Sequence, residues 1–191
     1  MSSFVERLRR LQTQNGTTML LLRPLMSEMP APMHYHDDPF FPFSRAIIKA
    51  TRDSVCGYLF DFAAYMAHGG AGAVALERSM AYAGGETIKV LHGAFAGPEY
   101  APMVYDAFGA DAATIASERD YKAFATSPEQ EAFVISEEEP EANVPLYRVS
   151  AEQLRLANVT NMTVAGEDVL YSSYMDDFAE QCRATLEQMQ G

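Results

Sequence analysis

ERSMAYAGGETIKVLHGAF (residues 77–95) and YDAFGADAATIAS (residues 105–117) decide how this chain reads. In each, a helical stretch ends at glycine and a short apolar run follows. Gly84 and Gly85 separate residues 78–83 from a strand predicted over 87–92. Gly109 closes a helix that starts at Pro98 and covers 99–108, and a strand is predicted over 112–116. These runs are apolar along their whole length and do not alternate. That pattern belongs to parallel strands covered on both faces.

The same cadence extends outward. Further strands are predicted over 19–25, 55–61, 73–77, 132–136 and 146–149, and residues 162–171 read as either helix or strand. Helices are predicted over 3–12, 43–52, 62–67 and 176–189, the last with Phe178, Cys182 and Leu186 on one stripe. The expected fold is α/β, a mainly parallel sheet with flanking helices. A compact or irregular β/α barrel is favoured over an open doubly-wound sheet. The helix, Gly-Ala-Asp, strand rhythm resembles that of many β/α barrels, class I aldolases among them. One domain is expected over residues 1–191, interrupted by a Pro/His/Phe-rich loop at 26–42 that carries Pro30, Pro32, Pro39 and Pro42.

Composition narrows the function classes. The formal charge is −12 from 26 acidic and 14 basic residues, so nucleic-acid phosphates and anionic lipid surfaces would repel the chain. No apolar run reaches the roughly 18 residues of a membrane span, and residues 3–12 have no apolar core of a secretory signal behind them. Cys56 and Cys182 form no paired motif, which fits a reducing, cytoplasmic setting.

The densest candidate site is His34-Tyr-His36-Asp37-Asp38. Imidazole and carboxylate together suit a divalent transition metal such as Zn, Mn or Fe, and an HxH pair in extended chain points both rings to one side. His34, His36 and Asp37 are therefore the expected metal ligands, and hydrogen bonds within a loop are the alternative. A second set comes from the expected strand ends, where parallel α/β folds bind ligands: Asp61, Glu77, His92 and Ser117. Asp61, Glu77 and His92 are candidates for acid–base work or metal ligation. Of Lys49, Lys89 and Lys122, only Lys89 lies in a predicted strand, where a Schiff-base lysine would sit.

Three glycine-rich or aromatic stretches need separate readings. His68-Gly-Gly-Ala-Gly72 reads as a helix-to-strand turn. No GxSxG accompanies it as an esterase requires, and a dinucleotide loop needs the opposite order of elements. The loop from His92 to Pro98 could hold an anion at a helix start. Pro39-Phe-Phe-Pro-Phe43 is either a plug over the sheet or a subunit contact.

Two functional readings follow. The first is a β/α-barrel lyase, aldolase or metal-assisted hydrolase acting on a small polar metabolite. The second is a non-catalytic binding or scaffold protein that forms a homo-oligomer through the Phe-rich loop.

Overall fold

The structure is a computed structural model in which residues 2–138, 144–156 and 159–190 are described. Eight strands close into a barrel in chain order: β1 (Thr18–Leu22), β2 (Gly57–Asp61), β3 (Ile88–Phe95), β4 (Ala112–Ile115), β5 (Glu131–Ile135), β6 (Leu146–Arg148), β7 (Gln153–Leu156) and β8 (Thr160–Ala165). Neighbours are parallel except around β7, which pairs antiparallel with both β6 and β8. Closure comes from β1 bonding to β8, with Met19 opposite Val164. A closed barrel has no sheet edge, so the open doubly-wound alternative is excluded.

Alternation along each strand sorts side chains into two cores. Met19, Leu59, Val90, Ala112, Phe133, Leu154, Met162 and Val164 fill the barrel. Leu20, Leu22, Tyr58, Phe60, Leu91, Ala113 and Ile115 face the surrounding helices. Helix α1 (Phe4–Asn15) begins with a capping box between Ser3 and Glu6 and adds Phe4, Leu8 and Leu11 to the inner core. Its anchors all precede strands. Arg7 pairs with Asp111 at 2.7 Å, and the Asn15 amide donates to the Val55 carbonyl at 3.0 Å. Thus α1 closes the N-terminal end of the barrel.

The strand predicted at 73–77 is helical. Helices α2 (Phe40–Thr51), α3 (Phe62–Met66) and α4 (Gly69–Ala83) pack together on the outside. Buried Gly72, Ala75, Leu76, Ser79, Met80 and Ala83 recur every three or four residues, and that period beats the short apolar run. A Cβ on Gly72 would stand 1.7 Å from the Tyr65 carbonyl oxygen, so glycine here permits close helix contact and does not form the expected turn. Residues 98–108 also depart from the expected single helix. They make a 3₁₀ turn (Pro98–Tyr100) and a π turn (Met103–Ala107) before Gly109, at φ 63°, stops them.

The 26–42 segment is more ordered than expected. It contains 3₁₀ turns at Met26–Glu28 and Ala31–Tyr35, and α2 starts at Phe40 with Pro42 in its first turn, where a missing N–H is harmless. Phe43 stacks on Tyr171 and Phe178 at 5.6 and 5.7 Å, and Phe40 stacks on His68 at 3.8 Å. The Arg78 guanidinium covers Phe41 at 4.2 Å. These rings pack within their own chain, with Phe40 and Phe43 buried. Helix α6 (Glu167–Leu170) and the amphipathic α7 (Phe178–Gln190) complete the outer layer, with α5 (Tyr121–Phe124) beside β5. Among the described residues no helix is long and apolar enough to cross a membrane. Residues 139–141 of the acidic run 137–141 lie outside the described set.

Candidate active site at the barrel mouth

At the C-terminal ends of the parallel strands the inward-facing residues turn polar. A cavity of about 380 Å³ opens there, lined by Leu21, Arg23, Asp61, His92, Tyr147 and Glu152 and floored by Gly166, Glu167 and Asp168. Each side chain owes its place to a strand end. Arg23 follows β1, Asp61 ends β2, His92 is on β3, Tyr147 is on β6, and Glu152 lies in the turn before β7. Gly166 leads from β8 into α6.

Asp61 is 7% exposed and joins two structures. One oxygen caps α3 by accepting from the Ala64 N–H at 3.0 Å, and the other faces the Arg23 Nε at 3.2 Å. Arg23 also reaches the Glu167 carboxylate at 2.7 Å, so one guanidinium is shared by two carboxylates. The Tyr171 hydroxyl donates to the Arg23 carbonyl at 2.7 Å and accepts from the Leu25 N–H at 2.8 Å, which fixes the chain leaving β1.

His92 sits at a β-bulge. The β3–β4 register slips between His92 and Phe95, and Ala94 takes φ 47°. Thr114 on β4 holds this bulge. Its Oγ1 accepts from the N–H groups of Gly93 at 3.0 Å and Ala94 at 3.3 Å, and lies 2.9 Å from His92 Nδ1. A hydroxyl has two acceptor sites and one proton. With both sites taken, Thr114 donates its proton to Nδ1, and His92 carries its own hydrogen on Nε2. Burial pushes the imidazole below its ordinary value of 6.5; nearby Asp61 opposes this and Arg23 adds to it. Tyr147 packs edge-on to His92 at 5.2 Å, and burial pushes its phenol above the ordinary value.

The cavity unites Asp61 and His92 from the expected set and leaves out the rest. Glu77 is exposed on α4, because the segment that carries it is helix and not strand. Lys89 lies on the outer face of β3, between inward-facing Ile88 and Val90, with its amine near Gly109. Ser117 caps the 3₁₀ turn Glu118–Asp120.

The expected metal set does not assemble. His34 lies within the 3₁₀ turn and His36 follows it, so the extended geometry that would align their rings is absent. His34 Nε2 lies 3.1 Å from the Met29 carbonyl oxygen, and His36 and Asp37 are exposed. Among the described residues no three His, Cys, Asp or Glu side chains converge to hold a metal ion. The helix start at Pro98 is no anion seat either. It is a three-residue turn, and the Glu99 carboxylate packs against Gly97. A hollow of about 510 Å³ at the opposite end of the barrel holds Arg7 and Asp111, which already pair with each other.

The sequence reading missed Arg23, Tyr147, Glu152, Glu167 and Asp168. Arg23 was legible as the first charge after the β1 apolar run, and Gly166-Glu-Asp168 as a break between strand and helix. Glu152 was not, because it depends on a hairpin that the sequence did not announce.

No family profile matches the chain. Two sequence relatives are both named orotidine 5′-phosphate decarboxylase. The one from Herpetosiphon aurantiacus is 32% identical over 125 residues, 62% of this chain and 46% of the relative. The one from Thermomicrobium roseum is 31% identical over 119 residues, 59% of this chain and 42% of the relative. The chain thus spans less than half the length of the curated relatives it matches. Among solved structures, a Toxoplasma gondii protein assigned as an orotidine-monophosphate decarboxylase superposes with TM-score 0.64 at 22% identity, over 76% of this chain and 54% of that one. Leishmania donovani OMP decarboxylase gives 0.60 at 17%, over 73% and 55%. At these identities the structural likeness shows the barrel fold.

Proposed function

We propose that the chain is a β/α-barrel lyase acting on a small polar metabolite at the strand-end mouth, with His92 and Asp61 meeting the reacting atoms. The observation that carries this reading is the convergence of Arg23, Asp61 and His92 on one cavity at the barrel end where such folds do their chemistry. The relatives' name supports the reaction class, since a decarboxylase is a lyase. In a decarboxylation the bond to the carboxylate carbon breaks, CO₂ departs, and the electron pair stays on the substrate carbon until a proton replaces the lost group; a carbonyl conjugated with that carbon takes up the charge on its oxygen. The Nε2–H of His92 is a fixed donor for such an oxygen. The Asp61 carboxylate, held by Arg23 and by the α3 cap, accepts from a substrate hydroxyl or N–H. The ligand in this reading is a small molecule and not nucleic acid, in keeping with the net charge of −12.

The test is turnover. The protein is incubated with orotidine 5′-phosphate and with a panel of unphosphorylated oxo acids and hydroxycarbonyl compounds, followed by proton NMR and CO₂ release. His92→Asn should lower turnover by about 10²–10⁴-fold. Turnover that ignores both His92→Asn and Asp61→Asn, or none on any compound, sinks the reading.

A further inference from the structure

We infer that the mouth takes an uncharged or amine-bearing metabolite and rejects phosphate monoesters, because its own carboxylates fill the place where a phosphate would sit. This rests on the mouth being the reaction site. In β/α barrels a phosphate is commonly held by the loops after the last two strands and by the start of a short extra helix. Here that helix is the four-residue α6, and its first two residues are Glu167 and Asp168. Across Gly166 stands Glu152, whose Oε1 would lie 3.2 Å from a Cβ at Gly166. Three carboxylates therefore crowd the position that elsewhere offers N–H groups and positive charge.

Of the three, Glu167 is paired with Arg23 at 2.7 Å. Arg23 is the only Lys or Arg among the described lining residues, and it is already shared by Asp61 and Glu167. The residues outside the described set contain no Lys, Arg or His. Lys89 faces away from the mouth. His92 adds no charge, since Thr114 donates to its Nδ1 and leaves the neutral Nε2–H form. The groups acting on that imidazole are Asp61, Arg23, Tyr147 and Thr114, and Glu152 lines the same cavity. The cavity thus offers the His92 ring N–H and the half-exposed Arg23 guanidinium as donors, beside several acceptors for hydroxyl or amine hydrogens. A substrate with a phosphate dianion and a carboxylate would meet the like charge of Glu152, Glu167 and Asp168, which weakens its binding.

The test measures orotidine 5′-phosphate binding by calorimetry and by ¹⁵N NMR of the histidine rings. It uses the wild type, the Glu152→Gln/Asp168→Asn double variant and, as a second variant should the double one fold poorly, Glu167→Gln. The wild type should show no saturable binding at millimolar ligand, and the neutralised variants should gain about tenfold or more in affinity. The His92 ring at pH 7 should carry its proton on Nε2 alone. Wild-type binding that perturbs His92, an imidazolium at pH 7, or variants with no gain would each overturn the inference. Binding or turnover of the phosphorylated compound leaves the lyase reading standing and sinks only this one. Turnover of an uncharged compound that ignores both His92→Asn and Asp61→Asn sinks the lyase reading instead.

Discussion

The two ends of the barrel are built from the same strands and differ in what the last inward-facing layer carries. At the N-terminal end that layer is apolar and α1 seals it with Phe4, Leu8 and Leu11. Polar groups there are tied to one another: Arg7 pairs with Asp111, which also accepts from the Lys89 N–H at 2.8 Å, and the Asn15 amide donates to the Val55 carbonyl. At the C-terminal end the layer is Asp61, His92 and Tyr147, and a cavity lies above it. One end is therefore a source of stability, and the other holds polar groups that add little to it. Ligand sites need such groups, and they are tolerable only where neighbours satisfy them, as Thr114 does for His92 and Arg23 for Asp61.

Substitutions can break this contrast. The largest effect is expected from Leu8→Ala, which empties a fully buried site beneath the barrel and should cost about 2–5 kcal/mol in urea unfolding. A loss no greater than that of a surface substitution would mean that α1 is not a structural seal. Next comes Arg7→Ala, which leaves the buried Asp111 carboxylate without its ion partner and should cost about 2–3 kcal/mol. At the mouth, Asp61→Asn keeps a side-chain oxygen for the α3 cap and loses only a pair whose Arg23 is 44% exposed. About 1 kcal/mol or less is expected, and a larger loss would blur the distinction between the ends.

The smallest effect is in pH dependence. The folded His92 value lies below the ordinary 6.5, so the unfolded chain binds more protons in the window beneath 6.5. Stability from this group is complete above that value and declines as pH falls through the window toward the folded value. His92→Asn should remove this part of the decline. Unfolding midpoints of the two proteins between pH 5 and 8 check it, and parallel profiles would show that His92 is not held neutral.

Six of the eight strands were legible, because a strand buried on both faces is a continuous apolar run. The 73–77 run failed for the same reason: Ala-Val-Ala-Leu suits a buried strand or a buried helix, and only the wider spacing from Gly72 to Ala83 separates them. β7 and β8 were hard to see because they pair antiparallel and alternate, with Leu154 and Leu156 inward and a polar residue, Gln153 or Arg155, before each. In the candidate site, Asp61 and His92 were found from strand ends. The HxH motif misled because two histidines two apart share a side only on extended chain, and the proline-rich segment winds into a 3₁₀ turn.

By itself the sequence determined the α/β class, the favoured barrel, the amphipathic terminal helices and the placing of polar side chains after apolar runs. Those features follow from local periodicity and the hydrophobic effect, which act over a few neighbouring residues. Tertiary structure alone decided that β8 closes on β1 and that α1 seals one end. It also brought Glu152 beside Gly166, and it set the Thr114 hydroxyl 2.9 Å from Nδ1 of His92, 22 residues away. Each of these is a contact between distant segments, fixed by closure of the barrel and by the need to satisfy every buried polar group.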